Sequence, residues 1–392
     1  MNVVLKVTKS TFGGEGIAAH EGKVCFVEGA IPGETVEARV LQDKKNFLRA
    51  KTLRVIEASP DRVEAPCPHY GVCGGCQYQH VSYEAERRFK ESQVSETLER
   101  LAGVKVPVSP MLYSDHEYGY RNSAAFHVQW APKAKRSILS FIATDNVSSV
   151  AVKRCDILDR RLDPLLRTPF SFKGSVKKIG FKLSENGEIV SDQDERFFRV
   201  KLGRETLLVN SKGFFQTNLR VTEFLAAQVK QWVDRAAPDM FFDLYAGVGT
   251  FSWLCAGDMP KTFCVEENPF SISALRMNRE EKRAVSLEIV PGRVEKVFPA
   301  LWARAAAKKA VVLMDPPRQG LEKGLAQKMA TLEGAGVLIY ISCDIPTLAR
   351  DLKILLSEGH FSVSQVVPFD MFPRTKHIEA AVLLESKVMT LK

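Results

Sequence analysis

From Lys212 onward the chain repeats one alternation, a short apolar run rich in β-branched residues and then a stretch with helical spacing. The runs predict strands at 240–245, 262–266, 286–290, 310–314, 337–341, 362–367 and 377–384, with an amphipathic helix over 222–233 ahead of them. An alternation of this kind folds as a doubly wound sheet with helices on both faces. Nothing helical separates the last two runs, so the final strand is expected to be antiparallel. Ligands of such sheets bind at the carboxyl ends of the strands, so the residues that end each strand carry the functional information.

Four of those ends stand out. The first reads Asp243-Leu-Tyr-Ala-Gly-Val-Gly-Thr-Phe-Ser, where Gly247 and Gly249 permit a tight turn and a close backbone approach. The third glycine of the dinucleotide fingerprint is absent, which leans toward S-adenosylmethionine over NAD. The second strand ends in Glu266, placed to accept hydrogen bonds from ribose hydroxyls. The fourth ends in Asp315-Pro316-Pro317-Arg318, where two prolines stiffen the backbone beyond the sheet edge. Amine methyltransferases follow such a motif with an aromatic residue. Arg318 stands there instead and points to another activation scheme, although a structural arginine would read the same way. The fifth strand delivers Cys343 just before a helix that begins around Pro346. A helix N-terminus favours the thiolate, which suits a nucleophile. A small buried apolar cysteine would look the same from position alone.

At 392 residues the chain has room for two or three domains. The sequence holds no uninterrupted apolar stretch of membrane-spanning length and no apolar leader, so a cytoplasmic protein is expected. Its net charge of +9 is compatible with a polyanionic partner but does not demand one. Of eight cysteines, Cys67, Cys73 and Cys76 crowd together, which in a reducing compartment suggests metal before disulfide. Gly74 and Gly75 let the backbone wrap a cluster and aim amides at sulfur. Cys155 is the best candidate for a fourth ligand. Spacing leaves iron–sulfur and zinc equally open.

Short β-branched runs at 3–7, 23–27, 34–40 and 51–56, punctuated by glycines and the Pro32-Gly33 turn, predict a small β-barrel. Lys44, Lys45, Arg49, Lys51 and Arg54 give it a basic edge, which fits RNA or simply a solvated face. The segments FGGEGIA and GKVCFVEGAIPGE resemble the TRAM domain, an RNA-binding module. A helix over 82–102 follows, capped by Ser82. A β-rich region then runs to about 210, with Lys133, Lys135, Arg136, Lys173, Lys177, Lys178 and Lys182 interleaved with aromatics. That composition suits single-stranded RNA or a charged surface.

Taken together, Cys67/Cys73/Cys76, FFQTN, DLYAGVGTFS, DPPR, SCD-x3-LARDL and DMFPRTKHIE resemble the RNA uracil-5-methyltransferase family, over nearly the whole chain. The resemblance implies an α/β fold: a Rossmann-like class I methyltransferase domain with a mixed sheet over 211–392. A TRAM-like OB barrel over 1–58 and a β-rich central domain over 59–210 would precede it. It implies a [4Fe–4S] cluster on Cys67, Cys73, Cys76 and Cys155. S-adenosylmethionine would be held by Gln216, Tyr245, Thr250, Glu266 and Asp315. Cys343 would be the nucleophile and Glu379 the base that removes a proton. The expected substrate is RNA, ribosomal by preference because of the TRAM-like front, with transfer RNA the alternative, and the expected state is a monomer. The family has S-C-N-P where this chain has Ser342-Cys343-Asp344-Ile345, and an acid beside the thiol would raise its pKa unless it points away. Two rival readings stay open. Cytosine-5 methylation would require a second cysteine where Asp315 stands, and a non-catalytic RNA-binding iron–sulfur protein would transfer no methyl group.

Overall fold

The computed structural model describes residues 1–131, 135–168, 176–257, 259–306 and 309–387, so the expected basic residues Lys133 and Lys173 lie outside the described residues. The chain opens with β1 (Asn2–Lys6), β2 (Lys9–Ser10), β3 (Gly16–His20), β4 (Lys23–Glu28), β5 (Thr35–Asp43) and β6 (Phe47–Glu57), in the order β1-β5-β6-β4-β3-β2. β1 continues into β2 through Val7 and Thr8, whose amides donate to Glu34 and Ile17 carbonyls at 2.8 Å each. The two edges of this sheet are therefore one segment, and it closes on itself. Leu5, Val27, Val36 and Leu48 alternate inward to form its core.

Helix α1 (Tyr83–Ala102) is capped by Ser82, whose hydroxyl accepts from the Ala85 amide at 3.3 Å, and is closed by Gly103 at φ 70°. The central sheet comprises β7 (Ser123–Ala131), β8 (Arg136–Ile142), β9 (Ser149–Val150), β10 (Lys178–Leu183) and β11 (Ile189–Ser191), ordered β11-β10-β7-β8-β9, with the short helix α2 (Asp163–Arg167) against it. A hairpin of β12 (Phe197–Leu202) and β13 (Glu205–Asn210) leads into the last layer.

That layer runs α3 (Leu219–Ala236), β14 (Met240–Leu244), α4 (Thr250–Cys255), β15 (Lys261–Glu266), α5 (Pro269–Glu281), β16 (Leu287–Pro291), α6 (Val294–Ala305), β17 (Ala310–Met314), α7 (Lys323–Ala330), β18 (Ala335–Ser342), α8 (Ile345–Leu355), β19 (Phe361–Phe369) and β20 (Glu379–Ser386). Seven strands lie in the order β16-β15-β14-β17-β18-β20-β19, all parallel except β20, which runs antiparallel between β18 and β19. Every residue of β17 is buried, as expected for a strand covered on both faces. Among the described residues no helix is long and apolar enough to cross a membrane.

The segment 83–112, expected within the central region, is built into the methyltransferase-like layer. Val94 and Leu98 of α1 share a core with Leu352 and Val366. The amides of Ser109 and Leu112 donate to Val366 and Pro368 carbonyls at 2.9 Å each, extending the sheet beyond β19. The hairpin β12–β13 packs against α5 in the same layer, burying Val200 and Val209 beside Ala274.

Candidate active site

The carboxyl edge of the seven-stranded sheet opens into a cavity of about 760 Å³. Gln216, Tyr245, Glu266, Asp315, Cys343 and Glu379 all line it. Each reaches it for a topological reason. β14, β15, β17 and β18 are parallel, so Tyr245, Glu266, Asp315 and Cys343 follow from the same end of four strands. β20 is antiparallel, so its first residue sits where its neighbours' last residues sit. Ser342 is paired with Ala380, a register that sets Cys343 beside Glu379. Thr250 is different: it is buried as the first residue of α4 and is not part of the cavity wall.

Glu266 is held rigidly. One carboxylate oxygen accepts from the Gly247 amide at 2.7 Å, the other from Glu267 and Asn268 amides at 2.9 and 2.7 Å. Gly247 has φ 57°, lies on the cavity wall, and a Cβ there would meet nothing within 4 Å, so the glycine leaves open a cradle for a ligand. Gln216 is set by Asn122, whose side-chain amide donates to the Gln216 carbonyl at 3.1 Å.

The cavity is strongly acidic. Burial and then Asp243 push Asp315 up to about 7. Burial raises Asp243 to about 7 against the Ser252 hydrogen bonds, with Glu266 adding to the rise. One Asp243 oxygen is buried with no hydrogen-bond partner. Glu379 is held well above the usual carboxylate range by burial and then by Asp315, with Arg318 opposing. Asp315 and Glu379, which line the wall, fit a ligand that brings positive charge, and the sulfonium and ammonium of S-adenosylmethionine have that character.

The Cys343 thiol is pushed up to about 12, by burial first and then by Glu379 and Asp315, while Arg318 pulls it down. Burial and the two acids therefore act against the thiolate that a helix N-terminus favours. Asp344 is not the acid responsible. It caps α8, accepting from the Thr347 amide at 2.9 Å, so the departure from S-C-N-P exchanges one N-cap residue for another.

Several lining residues have no distinctive sequence signal. Gly292, Arg293, Val294 and Glu295 follow the third strand, and only the rule that every strand of such a sheet points at the cavity would have found them. Asn268 caps α5 two residues after Glu266, and that spacing was a readable cue.

Away from this cavity, Cys67, Cys73, Cys76 and Cys155 line a separate one of about 70 Å³. All four are free thiols. Burial raises Cys76 and Cys155 to about 12, and neighbouring cysteines add to the rise in both. The Gly75 amide faces the Cys73 sulfur, and those of Ile157 and Leu158 face Cys155. A Cβ at Gly74 would crowd the Ala143 and Ile142 carbonyl oxygens at 3.0 and 3.1 Å, which favours glycine there. Among the described residues no three histidine, cysteine or acidic side chains are grouped tightly enough to hold a metal ion.

Comparison with known proteins agrees with this geometry. The family model for tRNA (uracil-5-)-methyltransferase matches residues 184–387, and that of the TRAM domain matches residues 3–53. The chain is 30% identical to the 23S rRNA (uracil(1939)-C(5))-methyltransferase RlmD of Photorhabdus laumondii, over 94% of this chain and 93% of that one. It is also 30% identical to an RNA methyltransferase of Clostridium tetani, covering 95% and 93%. The solved Pyrococcus abyssi tRNA (uracil-54, C5)-methyltransferase in complex with S-adenosyl-L-homocysteine superposes with a TM-score of 0.70 at 22% identity, covering 97% and 99%, so the fold is shared over the whole length. The chain is a member of the tRNA (uracil-5-)-methyltransferase family and carries a TRAM domain ahead of its methyltransferase fold.

Proposed function

We propose that this protein methylates C5 of a uridine in 23S ribosomal RNA, using S-adenosylmethionine and a transient bond between Cys343 and C6 of the base. The observation that carries the reading is the register of β18 and β20, which brings a cysteine and a carboxylate side by side at the cofactor cavity. The ribosomal target is supported by relatives named for 23S rRNA that align end to end.

The residues divide the work. Glu266 accepts the ribose hydroxyls, Gly247 leaves room beside it, and Tyr245, Gln216 and Asp315 line the rest of the donor's place. Thr250 would act only through the turn it ends. S-adenosylmethionine supplies an electrophilic methyl group on a cationic sulfur. C5 of uracil is a weak nucleophile. Cys343 loses its proton to solvent and its sulfur adds to C6, so the ring electrons move onto C5 and O4. C5 then forms its bond to the methyl carbon as that carbon's bond to the donor sulfur breaks, the electron pair staying on sulfur and leaving a neutral thioether. Glu379 removes the remaining C5 proton, the C5–C6 double bond re-forms, and the C6–S bond breaks to release the thiolate. A carboxylate whose pKa lies above the ordinary range is a stronger base once ionised, which suits removal of a carbon-bound proton. The absence of a cysteine at Asp315 disfavours cytosine-5 methylation.

The four cysteines match a [4Fe–4S] cluster in number and line one cavity with amides aimed at sulfur, but as placed they are not grouped tightly enough to hold a metal ion. Such a group would anchor the 67–76 loop to the Cys155 turn. Stoichiometric iron and acid-labile sulfide support it, and stoichiometric zinc overturns it. We further propose three domains over 1–58, 59–210 and 211–392, with residues 83–112 of the middle one packed on the third. The function is tested by mapping 5-methyluridine in ribosomal RNA from cells with and without the gene. A site that loses its methyl group and regains it with the purified protein supports the reading, and undiminished 5-methyluridine at every ribosomal site overturns it.

A further inference from the structure

Glu379 begins β20, and the loop that delivers it, residues 370–378, is fastened mostly by parts of the chain nearly 300 positions away. At its start, the Asp370 carboxylate accepts from the Lys90 ammonium at 2.7 Å and the Tyr83 hydroxyl at 2.8 Å. The Pro373 carbonyl accepts from the Tyr120 hydroxyl at 3.0 Å. Further on, the Lys376 amide donates to the Gln77 side chain at 3.0 Å. The methyltransferase layer contributes an Asn218 bond to the Met371 carbonyl at 3.2 Å.

Arg374 is the centre of this fastening. It is 4% exposed and has φ 67°, a left-handed backbone that a residue with a Cβ adopts at a cost, and sites of this kind cluster where surrounding structure enforces a functional geometry. Its amide donates to Glu86 at 2.8 Å, and its carbonyl accepts from the Gln77 and Tyr78 amides at 3.0 and 3.1 Å, immediately after Cys76. The guanidinium donates to the Val81 carbonyl at 2.7 Å and pairs with Glu86 and Glu117. It lies between the rings of Tyr83 and Tyr118, at 5.2 and 5.3 Å from their centroids.

We infer that Arg374 is a positioning residue for the base Glu379: it locks the β19–β20 loop onto the cysteine-bearing segment and α1, so that the Phe369–Glu379 pair closes with the carboxylate facing the target carbon. This rests on the assignment of Glu379 as the base. The fork of the guanidinium is what matters, because it reaches a backbone carbonyl and two carboxylates at once. Loosening it leaves Cys343, just past the end of β18, untouched, since no bond of the clamp described above reaches that strand. Addition and methyl transfer then proceed, and removal of the C5 proton falters.

The test uses the full-length protein, RNA carrying tritium at uridine C5, and labelled S-adenosylmethionine. The wild type releases one tritium for each methyl group transferred. Arg374→Lys is expected to lower steady-state tritium release about 10- to 100-fold while the first round of methyl transfer changes less than about threefold, so that a methylated protein–RNA adduct accumulates on a denaturing gel. Glu117→Gln, a partly exposed partner of the guanidinium, shows the same sign with a smaller effect and stands in if the Arg374 variant does not fold. Equal losses of tritium release and methyl transfer, or no change in either variant, overturn the inference. Glu379→Gln run in parallel separates the two claims: if it traps no adduct, the base assignment itself fails, and if it traps one while the Arg374 and Glu117 variants do not, only the positioning role fails.

Discussion

Two groups of buried charge lie within one layer of this molecule, and they are built oppositely. Beside the β19–β20 loop, Lys90, Glu86, Asp370 and Arg374 are all buried, and each acid there has a cation in contact: Lys90 sits 2.7 Å from both Glu86 and Asp370. Burial opposes the Lys90 charge, and the two carboxylates more than restore it, so it stays an ammonium. At the sheet edge, Asp243 and Glu379 are buried and Asp315 is partly buried, but among the groups acting on them Arg318 alone is a cation, and it acts on Glu379. The first group is complete without a ligand and serves as structure. The second is electrostatically incomplete and awaits positive charge, which is what makes it a binding site for a sulfonium donor. Buried acids alone do not identify a site here; missing counter-charge does.

Breaking the complete group is predicted to have the larger effect on stability. Lys90→Met leaves two buried carboxylates without their partner and is expected to destabilise the fold by about 3–5 kcal/mol, read from the denaturant midpoint. Asp315→Asn in the incomplete group is expected to act in the other direction on the ligand-free protein. A folded-state pKa raised to about 7 means that its stability contribution is present below the ordinary carboxylate range and is lost as pH rises through about 7. Removing that charge therefore stabilises the free protein, more at pH 8 than at pH 5, and weakens S-adenosylmethionine binding. A fall in stability at pH 8 equal to that of Lys90→Met would erase the distinction between the two groups.

The smallest predicted effect is on the pH dependence of binding. If the donor's positive charge requires the ionised form of one carboxylate that titrates near 7, its affinity rises about tenfold between pH 6 and pH 8. Calorimetry in buffers of different ionisation enthalpy then shows proton release on binding at pH 6.5. Neutral S-adenosylhomocysteine is expected to show a shallower dependence. Equal slopes for the two ligands would mean that the acids do not respond to the sulfonium.

The same contrast explains what could be read from the sequence. The catalytic edge was legible because each of its parts is local: a strand, its last residue, and a glycine turn or helix start. Cys343, Asp315, Glu266 and Tyr245 are each the end of an apolar run, and the antiparallel final strand follows from the missing helix before Glu379. The complete charge group was illegible because its members are far apart in the chain and look ordinary. Glu86 and Lys90 stand four residues apart on α1, a spacing that reads as an exposed helix pair, and their contacts with Asp370, Phe372 and Arg374 of the β19–β20 segment are made only in the fold. Likewise, β3 hides behind glycine and alanine, and residues 108–112 carry no sign that they will extend the sheet beyond β19. The pull against the thiolate was not legible for a physical reason: the helix start behind Cys343 is visible in sequence, while the two carboxylates that oppose it arrive from β17 and β20.

The central claim is a sulfur–carbon bond between Cys343 and the target base. RNA carrying 5-fluorouridine at the mapped site gives an adduct from which no proton can be removed at C5. The account predicts that incubation with S-adenosylmethionine produces a stable complex whose mass equals protein plus RNA plus one methyl group, with the RNA attached at Cys343 after proteolysis. Attachment at any other residue, or undiminished methylation of ordinary RNA by Cys343→Ala, would contradict it.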